Sequence, residues 1–155
     1  MRPAQRSYLQ TLRCDSSLED LWQALVRPEA LRLWHAEQAA IDPRVGGRYV
    51  YRSRLFGARQ ARIDVFEPGR RLRLVYDPNP RWPAAGDDPI VEDFLLGLRR
   101  NGTRKPQGEL RLIGTGVPGD PAWNEVLRRL NAGWAVAFSY LQRRLESREI
   151  ERLAS

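Results

Sequence analysis

The feature that most constrains the fold is one long apolar stripe near the C-terminus. Asp120-Pro121 predicts a helix start, because Asp accepts hydrogen bonds from free backbone N–H groups and proline tolerates the first helical position. A helix of about 25 residues is about 38 Å long, more than twice the radius of gyration of ~15 Å expected at this chain length. It must therefore cross the whole domain and pack on a broad apolar surface. The apolar positions recur at steps of three and four and are Trp123, Leu127, Leu130, Trp134, Phe138, Leu141 and Leu145.

Between residues 38 and 116 the apolar period changes to two, which predicts the sheet that supplies this surface. Tyr49, Tyr51 and Leu55 share one face of the first of these strands, and Ile63 lies on the matching face of the next. The predicted strands span residues 47–56, 59–66, 71–77, 90–99 and 108–115, with turns at Phe56-Gly57, Pro68-Gly69 and Asn101-Gly102. In the last hairpin, either Asn101-Gly102 or Gln107-Gly108 can occupy the turn.

The N-terminal part adds one strand and one or two helices. Residues 7–14 are typical of a strand, and Ser16-Ser17-Leu18-Glu19 has the spacing of a capping box that starts a helix. Pro28 either ends that helix or opens a second short one that runs to Trp34. With one further irregular segment at residues 78–89, these elements predict a single α+β domain over residues 1–155.

Three segments carry a resemblance to a known superfamily. They are Leu21-Trp22-Gln23-Ala24-Leu25 with Pro28-Glu29 and Trp34, then Ile41-Asp42-Pro43-Arg44-Val45-Gly46-Gly47-Arg48-Tyr49, and finally Gly133-Trp134. Together they resemble the SRPBCC, or START-like, superfamily, in the branch named for activators of the heat-shock-protein-90 ATPase. The resemblance implies a helix-grip fold, in which a curved antiparallel sheet of six to seven strands wraps around the C-terminal helix.

Motifs for catalysis, metal binding or nucleotide binding are weak in this sequence. His35 is the only histidine, and no serine near it would complete a hydrolytic triad. One histidine and the single Cys14 cannot supply an N/S metal site, and Gly114-Thr115-Gly116 does not continue into a nucleotide fingerprint. We therefore expect no cofactor, no metal and no catalytic residue, and we do not favour an enzyme.

The resemblance implies a cavity between the last helix and the sheet, because related domains commonly bind lipids, polyketides or other apolar molecules there. The predicted ligand-binding residues are Trp34, His35, Tyr49, Tyr51, Ile63, Tyr76, Phe94, Trp134 and Phe138. Three functions stay open: a binding module for a small, mainly apolar ligand, a co-chaperone-like protein-interaction module, and a cyclase- or dehydratase-type enzyme that uses the same pocket.

Charge and hydropathy limit which other partners, such as nucleic acid or a membrane, this protein is expected to have. The net charge is +7, but the arginines are scattered and interleaved with acids, so we expect only weak, sequence-independent attraction to nucleic acid. No apolar run is long enough to span a membrane, and residues 1–7 lack the apolar core of a signal peptide. The cytoplasm is the expected location, with no membrane partner.

Overall fold

One antiparallel sheet of seven strands forms the larger layer of the molecule. The computed structural model describes residues 4–84, 86–102 and 104–154. The strands are β1 (Gln5–Cys14), β2 (Gln38–Ile41), β3 (Arg48–Ser53), β4 (Gly57–Glu67), β5 (Arg71–Tyr76), β6 (Val91–Arg99) and β7 (Gln107–Pro118). Their order across the sheet is β1-β7-β6-β5-β4-β3-β2, so the first strand returns to pair with the last. This arrangement confirms the predicted helix-grip α+β fold.

The helices all lie outside the run of strands from β2 to β7 in the chain. Proline at residue 28 opens a second helix rather than only ending the first, which resolves the alternative that the sequence left open. A 3-10 turn at Pro121–Trp123 leads into the long helix, with the Asp120 side chain accepting a hydrogen bond from the Ala122 N–H at 2.9 Å. The α-helices are α1 (Leu18–Val26), α2 (Pro28–Trp34), α3 (Asn124–Glu146) and α4 (Glu149–Ala154).

The start of α1 differs from the predicted capping box by one residue. Ser17 is the N-cap, and its hydroxyl accepts a hydrogen bond from the Asp20 N–H at 3.1 Å. The Glu19 carboxylate does not reach back to the cap. It accepts a hydrogen bond from Gln23 at 2.8 Å, one turn further along the helix. The serine pair made both registers possible from the sequence, and the cap at Ser17 places Leu21 and Leu25 in the core.

Helix α3 lies against the inner face of the sheet, as its stripe predicts. Trp134 is 1% exposed and Phe138 is 4% exposed, in the same core as Tyr49, Tyr51 and Ile63. Leu127 is the one stripe position that stays half-buried. No described helix is both long and apolar enough to cross a membrane.

Gly133 shows why α3 contains a residue of low helix propensity. A Cβ atom at this position would lie 2.4 Å from the ring of Phe56, far inside van der Waals contact. The missing side chain therefore lets the turn between β3 and β4 pack directly on the helix. This close approach is the packing reason that a mid-helix glycine requires.

The glycines of the Gly46-Gly47 segment act by two different means just before β3. Gly46 has a φ of +82°, a conformation that side chains with a Cβ rarely adopt. A Cβ on Gly47 would lie 2.0 Å from the backbone oxygen of Asp42, so only glycine fits there. The predicted tight entry into the curved sheet is confirmed at both positions.

The predicted turns are confirmed, but Leu55, which was predicted to lie in a strand, lies in a turn. Gly57, Gly69 and Gly102 all have positive φ values, and Gly102 rather than Gly108 lies in the last hairpin turn. Gly108 is paired within β7 opposite Leu98. The prediction that Leu55 shares the buried face of Tyr49 and Tyr51 is wrong, because β3 ends at Ser53 and Leu55 is 39% exposed in the turn.

Candidate functional site

The predicted ligand-binding residues are gathered in the core rather than around an open space. Trp134 lies at the centre of this cluster, with its ring centroid 4.6 Å from that of His35 and 6.4 Å from that of Trp34. Side chains thus fill the middle of the interface between α3 and the sheet, and of the nine residues only Tyr76 borders the large cavity described below. All nine are buried: Trp34, His35, Tyr49, Tyr51, Ile63, Tyr76, Phe94, Trp134 and Phe138.

His35 is held in an aromatic cage. Its ring stacks on Trp34 with centroids 5.0 Å apart and lies 4.6 Å from the ring of Tyr51. Burial, together with the positive charge of Arg59, lowers the pKa of His35 to about 3, so the imidazole is neutral at physiological pH. Neither ring nitrogen has a hydrogen-bond partner among the described residues.

The most polar feature of the core is an ion pair that the sequence analysis missed. The Arg59 Nη1 atom lies 3.0 Å from a Glu92 oxygen, and the two side chains are 1% and 0% exposed. Although burial acts to lower the pKa of Arg59, the neighbouring Glu92 and Tyr51 raise it, and the result lies well above the usual value. The Arg59 guanidinium therefore keeps its positive charge inside the domain.

Glu92 is the centre of a wider hydrogen-bond network. Its two oxygens accept hydrogen bonds from the hydroxyls of Tyr8 at 2.5 Å and Tyr76 at 2.6 Å, and from the Trp134 indole at 2.9 Å. Burial, with the charge of Glu92, raises the pKa of Tyr8 well above its ordinary value, so this hydroxyl stays protonated and donates. Together with Arg59, these donors satisfy the buried carboxylate, which an isolated charge in the core would require.

The signal for this pair was present in the strand alternation. Arg59 has the same parity in β4 as the buried Ala61 and Ile63, and Glu92 has the same parity in β6 as the buried Phe94. The alternation alone thus places two opposite charges on inward-facing positions, and the order of the strands then shows that they can pair. Of the residues in the strands, only aromatic and aliphatic ones were predicted to face inward from the sequence, so the pair was missed.

An open cavity of about 1100 Å³ lies between the N-terminal end of α3 and the sheet. Residues 77–83 and 86–90 form one wall, and the Phe56 turn forms another. The Trp82 and Trp123 rings meet edge to face at 6.0 Å, and the Trp123 indole donates to the Ala84 carbonyl at 3.2 Å. The main apolar and aromatic lining residues are Phe56, Tyr76, Trp82, Ile90, Trp123, Val126 and Leu130.

Arg59 belongs both to the cavity lining and to the buried hydrogen-bond network around Glu92. It borders the cavity, and its guanidinium lies 3.7 Å from the centroid of the Tyr76 ring and 5.4 Å from that of the Trp82 ring. Such contacts between a cation and aromatic faces are favourable and hold the side chain in place. The described residues contain no group of three or more His, Cys, Asp or Glu side chains that could hold a metal ion.

The sequence matches one family model over residues 15–146, which is most of the chain. The model describes activator of Hsp90 ATPase homolog 1-like proteins. The chain belongs to this family. A comparison with curated proteins finds no match.

Solved structures of similar proteins share the fold of this family member at low sequence identity. Protein MLL2253 from Mesorhizobium loti is 22% identical with a TM-score of 0.74, over 92% of this chain and 98% of its own. The Aha1 dimer from Colwellia psychrerythraea is 18% identical with the same TM-score, over 91% of this chain and 96% of its own. DynU16, from the dynemicin biosynthetic locus, is 18% identical with a TM-score of 0.68, over 90% of this chain and 47% of its own.

Proposed function

We propose that this protein binds a small, mainly apolar molecule in the open cavity, in the cytoplasm. The observation that carries the proposal is the cavity of about 1100 Å³ bordered by the rings of Phe56, Tyr76, Trp82 and Trp123. Sites for small molecules typically have volumes of roughly 300–1,000 Å³ and walls that are mainly apolar and aromatic. This cavity is slightly larger than that range and opens to solvent, so a ligand can enter without unfolding of the core.

The proposal assigns different roles to the nine residues predicted from the sequence. Tyr76 would touch the ligand directly, because it borders the cavity. The other eight do not border the cavity, and they would support its wall from the core. Trp134, for example, contacts the cavity-lining Phe56 at a ring distance of 5.2 Å and donates to Glu92, which pairs with the cavity-lining Arg59.

A fluorescence titration tests this proposal. N-phenyl-1-naphthylamine is neutral, and its emission increases in apolar surroundings, so we expect saturable binding in the micromolar range, about 8 kcal/mol of binding free energy. Ala122 is exposed at the cavity rim, and Ala122→Trp should fill part of the cavity and weaken binding at least tenfold. The matched control is Ala132→Trp, an exposed position of α3 that does not border the cavity and should leave binding unchanged.

Two outcomes would contradict the proposal. One is the absence of saturable binding of the probe or of competing apolar compounds at concentrations well above the micromolar range. The other is equal weakening by Ala122→Trp and Ala132→Trp, which would mean that the probe binds elsewhere on the surface. Melting temperatures of both variants serve to exclude unfolding as the cause.

A second candidate function is a co-chaperone-like interaction module. It is favoured by the family model's description and by the similarity to the Aha1 structure. The test is the ATPase rate of Hsp90 with and without stoichiometric amounts of this protein. A several-fold increase supports the second candidate, and an unchanged rate opposes it.

A cyclase- or dehydratase-type enzyme is the third alternative. Glu92 and Arg59 are the inward-facing charged groups that such an enzyme would need. However, both Glu92 oxygens already accept hydrogen bonds from protein donors, and Tyr76 donates its hydroxyl proton to the same carboxylate. A general base must be free to reach the proton that it removes, so this arrangement favours binding over proton transfer.

A further inference from the structure

Arg59 borders the cavity, and its guanidinium has a buried hydrogen-bond donor that no described protein group uses. Its Nη1 atom donates to Glu92 at 3.0 Å and to the Tyr51 hydroxyl at 3.1 Å. Its Nη2 atom is buried and has no hydrogen-bond partner among the described residues. Of the residues with such unpartnered buried atoms, which also include His35 and Arg73, only Arg59 borders the cavity.

A buried donor without an acceptor is unfavourable, so this position favours a ligand that brings an acceptor. The aromatic rings around it restrict where that acceptor can lie. Tyr76 lies against the guanidinium at 3.7 Å, and Phe56 and Trp82 lie 5.6 and 5.4 Å from it. These rings favour a flat apolar body next to the acceptor, because rings pack well against other rings.

The charge of the site indicates what kind of acceptor fits. Glu92 already balances the charge of Arg59 inside the core, with both side chains at most 1% exposed. A carboxylate ligand at Nη2 would bring a second negative charge close to Glu92, and like charges in a buried site repel strongly. A neutral oxygen, such as a ketone or aldehyde carbonyl, accepts the same hydrogen bond without this cost.

We propose that the ligand is a neutral, flat, mainly apolar carbonyl compound whose oxygen accepts a hydrogen bond from Arg59 Nη2. This proposal rests on the proposed function, since it requires that the cavity bind small molecules. It specifies one polar anchor, Arg59, and one excluded class, hydrophobic carboxylates.

Three compounds of nearly equal shape test the proposal. They are 2-acetylnaphthalene, its isostere 2-isopropenylnaphthalene, in which a CH₂ group replaces the carbonyl oxygen, and 2-naphthoate, which carries a carboxylate. Their Kd values are measured by displacement of N-phenyl-1-naphthylamine. We expect the ketone to bind about tenfold tighter than the alkene, because only the ketone pairs with the buried charged donor. The naphthoate should bind more weakly than the ketone.

Two variants assign the preference to Arg59. Arg59→Met combined with Glu92→Gln removes both charges together. The Gln oxygen can still accept from Tyr8 and Trp134, which share one Glu92 oxygen, and the Gln amide can donate to the Tyr76 hydroxyl oxygen. Arg59→Lys keeps the charge opposite Glu92 but replaces the planar fork with a single ammonium. In both variants the ratio of the alkene Kd to the ketone Kd should fall to less than about threefold. The ratio is an internal control for changes in the cavity as a whole, and thermal unfolding confirms that each variant is folded.

The outcomes separate this proposal from the proposed function. Equal binding of ketone and alkene to the unmodified protein, with both weakened by Ala122→Trp, overturns the anchor but leaves the binding function standing. Tighter binding of the naphthoate overturns the preference for a neutral ligand. A tenfold ketone preference that survives in folded variants of Arg59 overturns the role of that residue. Failure of all three compounds and of the probe to bind overturns both proposals.

Discussion

Glu92 and Asp93 are neighbours in β6 whose side chains lie on opposite faces of the sheet. Each pairs with an arginine, but Glu92 pairs with Arg59 in the core, whereas Asp93 pairs with Arg71 in a bidentate contact at the surface. We expect Glu92→Ala to lower the free energy of unfolding by about 3–5 kcal/mol, because it leaves a buried charge unpaired. Asp93→Ala should lower it by about 1 kcal/mol or less, since the side chains of this pair are 34% and 19% exposed. Urea denaturation of the two variants measures the difference, and equal losses would mean that the inner pair contributes no more than a surface pair.

His35 should make the stability of the folded protein depend on pH between pH 7 and pH 5. The folded imidazole stays neutral to about pH 3, whereas the unfolded chain takes up the proton near pH 6.5. The unfolded state thus binds more protons, and the free energy of unfolding should fall by about 2 kcal/mol from pH 7 to pH 5. Because His35 is the only histidine, His35→Phe should remove most of this decrease and should not destabilise the protein at pH 7. An unchanged pH dependence in His35→Phe, measured by urea denaturation at both pH values, would show that carboxylates cause it.

At the scale of elements, the periodic segments could be predicted from the sequence and the irregular ones could not. Alternation and the three-four stripe predict strands and helices because each element must bury one side of a regular backbone. The segment between Tyr76 and Val91 has no such period, so its path was not predictable. Its residues 77–83 and 86–90 form one wall of the cavity, with Trp82 near Trp123. The predicted ligand site therefore lay in the filled core, while the cavity opened next to it.

The same limit explains which residues of the candidate site were predicted from the sequence. Tyr76 was predicted because it is aromatic and on the inward face of β5. Arg59 and Glu92 were missed although their parity places them inward. A single inward-facing charge predicts a buried ion pair only when the position of the opposite charge is also known. The pair lies 33 residues apart in the chain, on strands separated by β5. Only the order of the strands brings such positions together.

At the scale of the whole molecule, the net charge of +7 is spread over a surface where arginines pair with acids. On the outer face of the sheet, Arg48 of β3 lies 2.7 Å from Asp77, which directly follows β5 on the other side of β4. Arg71 of β5 lies 2.8 Å from Asp93 of β6. Arg13 of β1 likewise pairs with the Glu109 carboxylate of β7 at 2.9 Å. This interleaving divides the positive charge into small areas.

Such a surface should bind nucleic acid weakly and without sequence preference. Phosphate contacts release counterions, so their affinity falls steeply with salt, and base recognition would require an element that fits a groove. We expect a fluorescein-labelled 20-base-pair DNA to show measurable binding by anisotropy at 50 mM NaCl. At 200 mM NaCl the affinity should be at least about tenfold weaker, with a shuffled sequence of the same composition giving the same Kd. Binding that persists at 200 mM NaCl and distinguishes the two sequences would contradict this expectation, because scattered and paired arginines supply neither the affinity nor the base contacts that such behaviour requires.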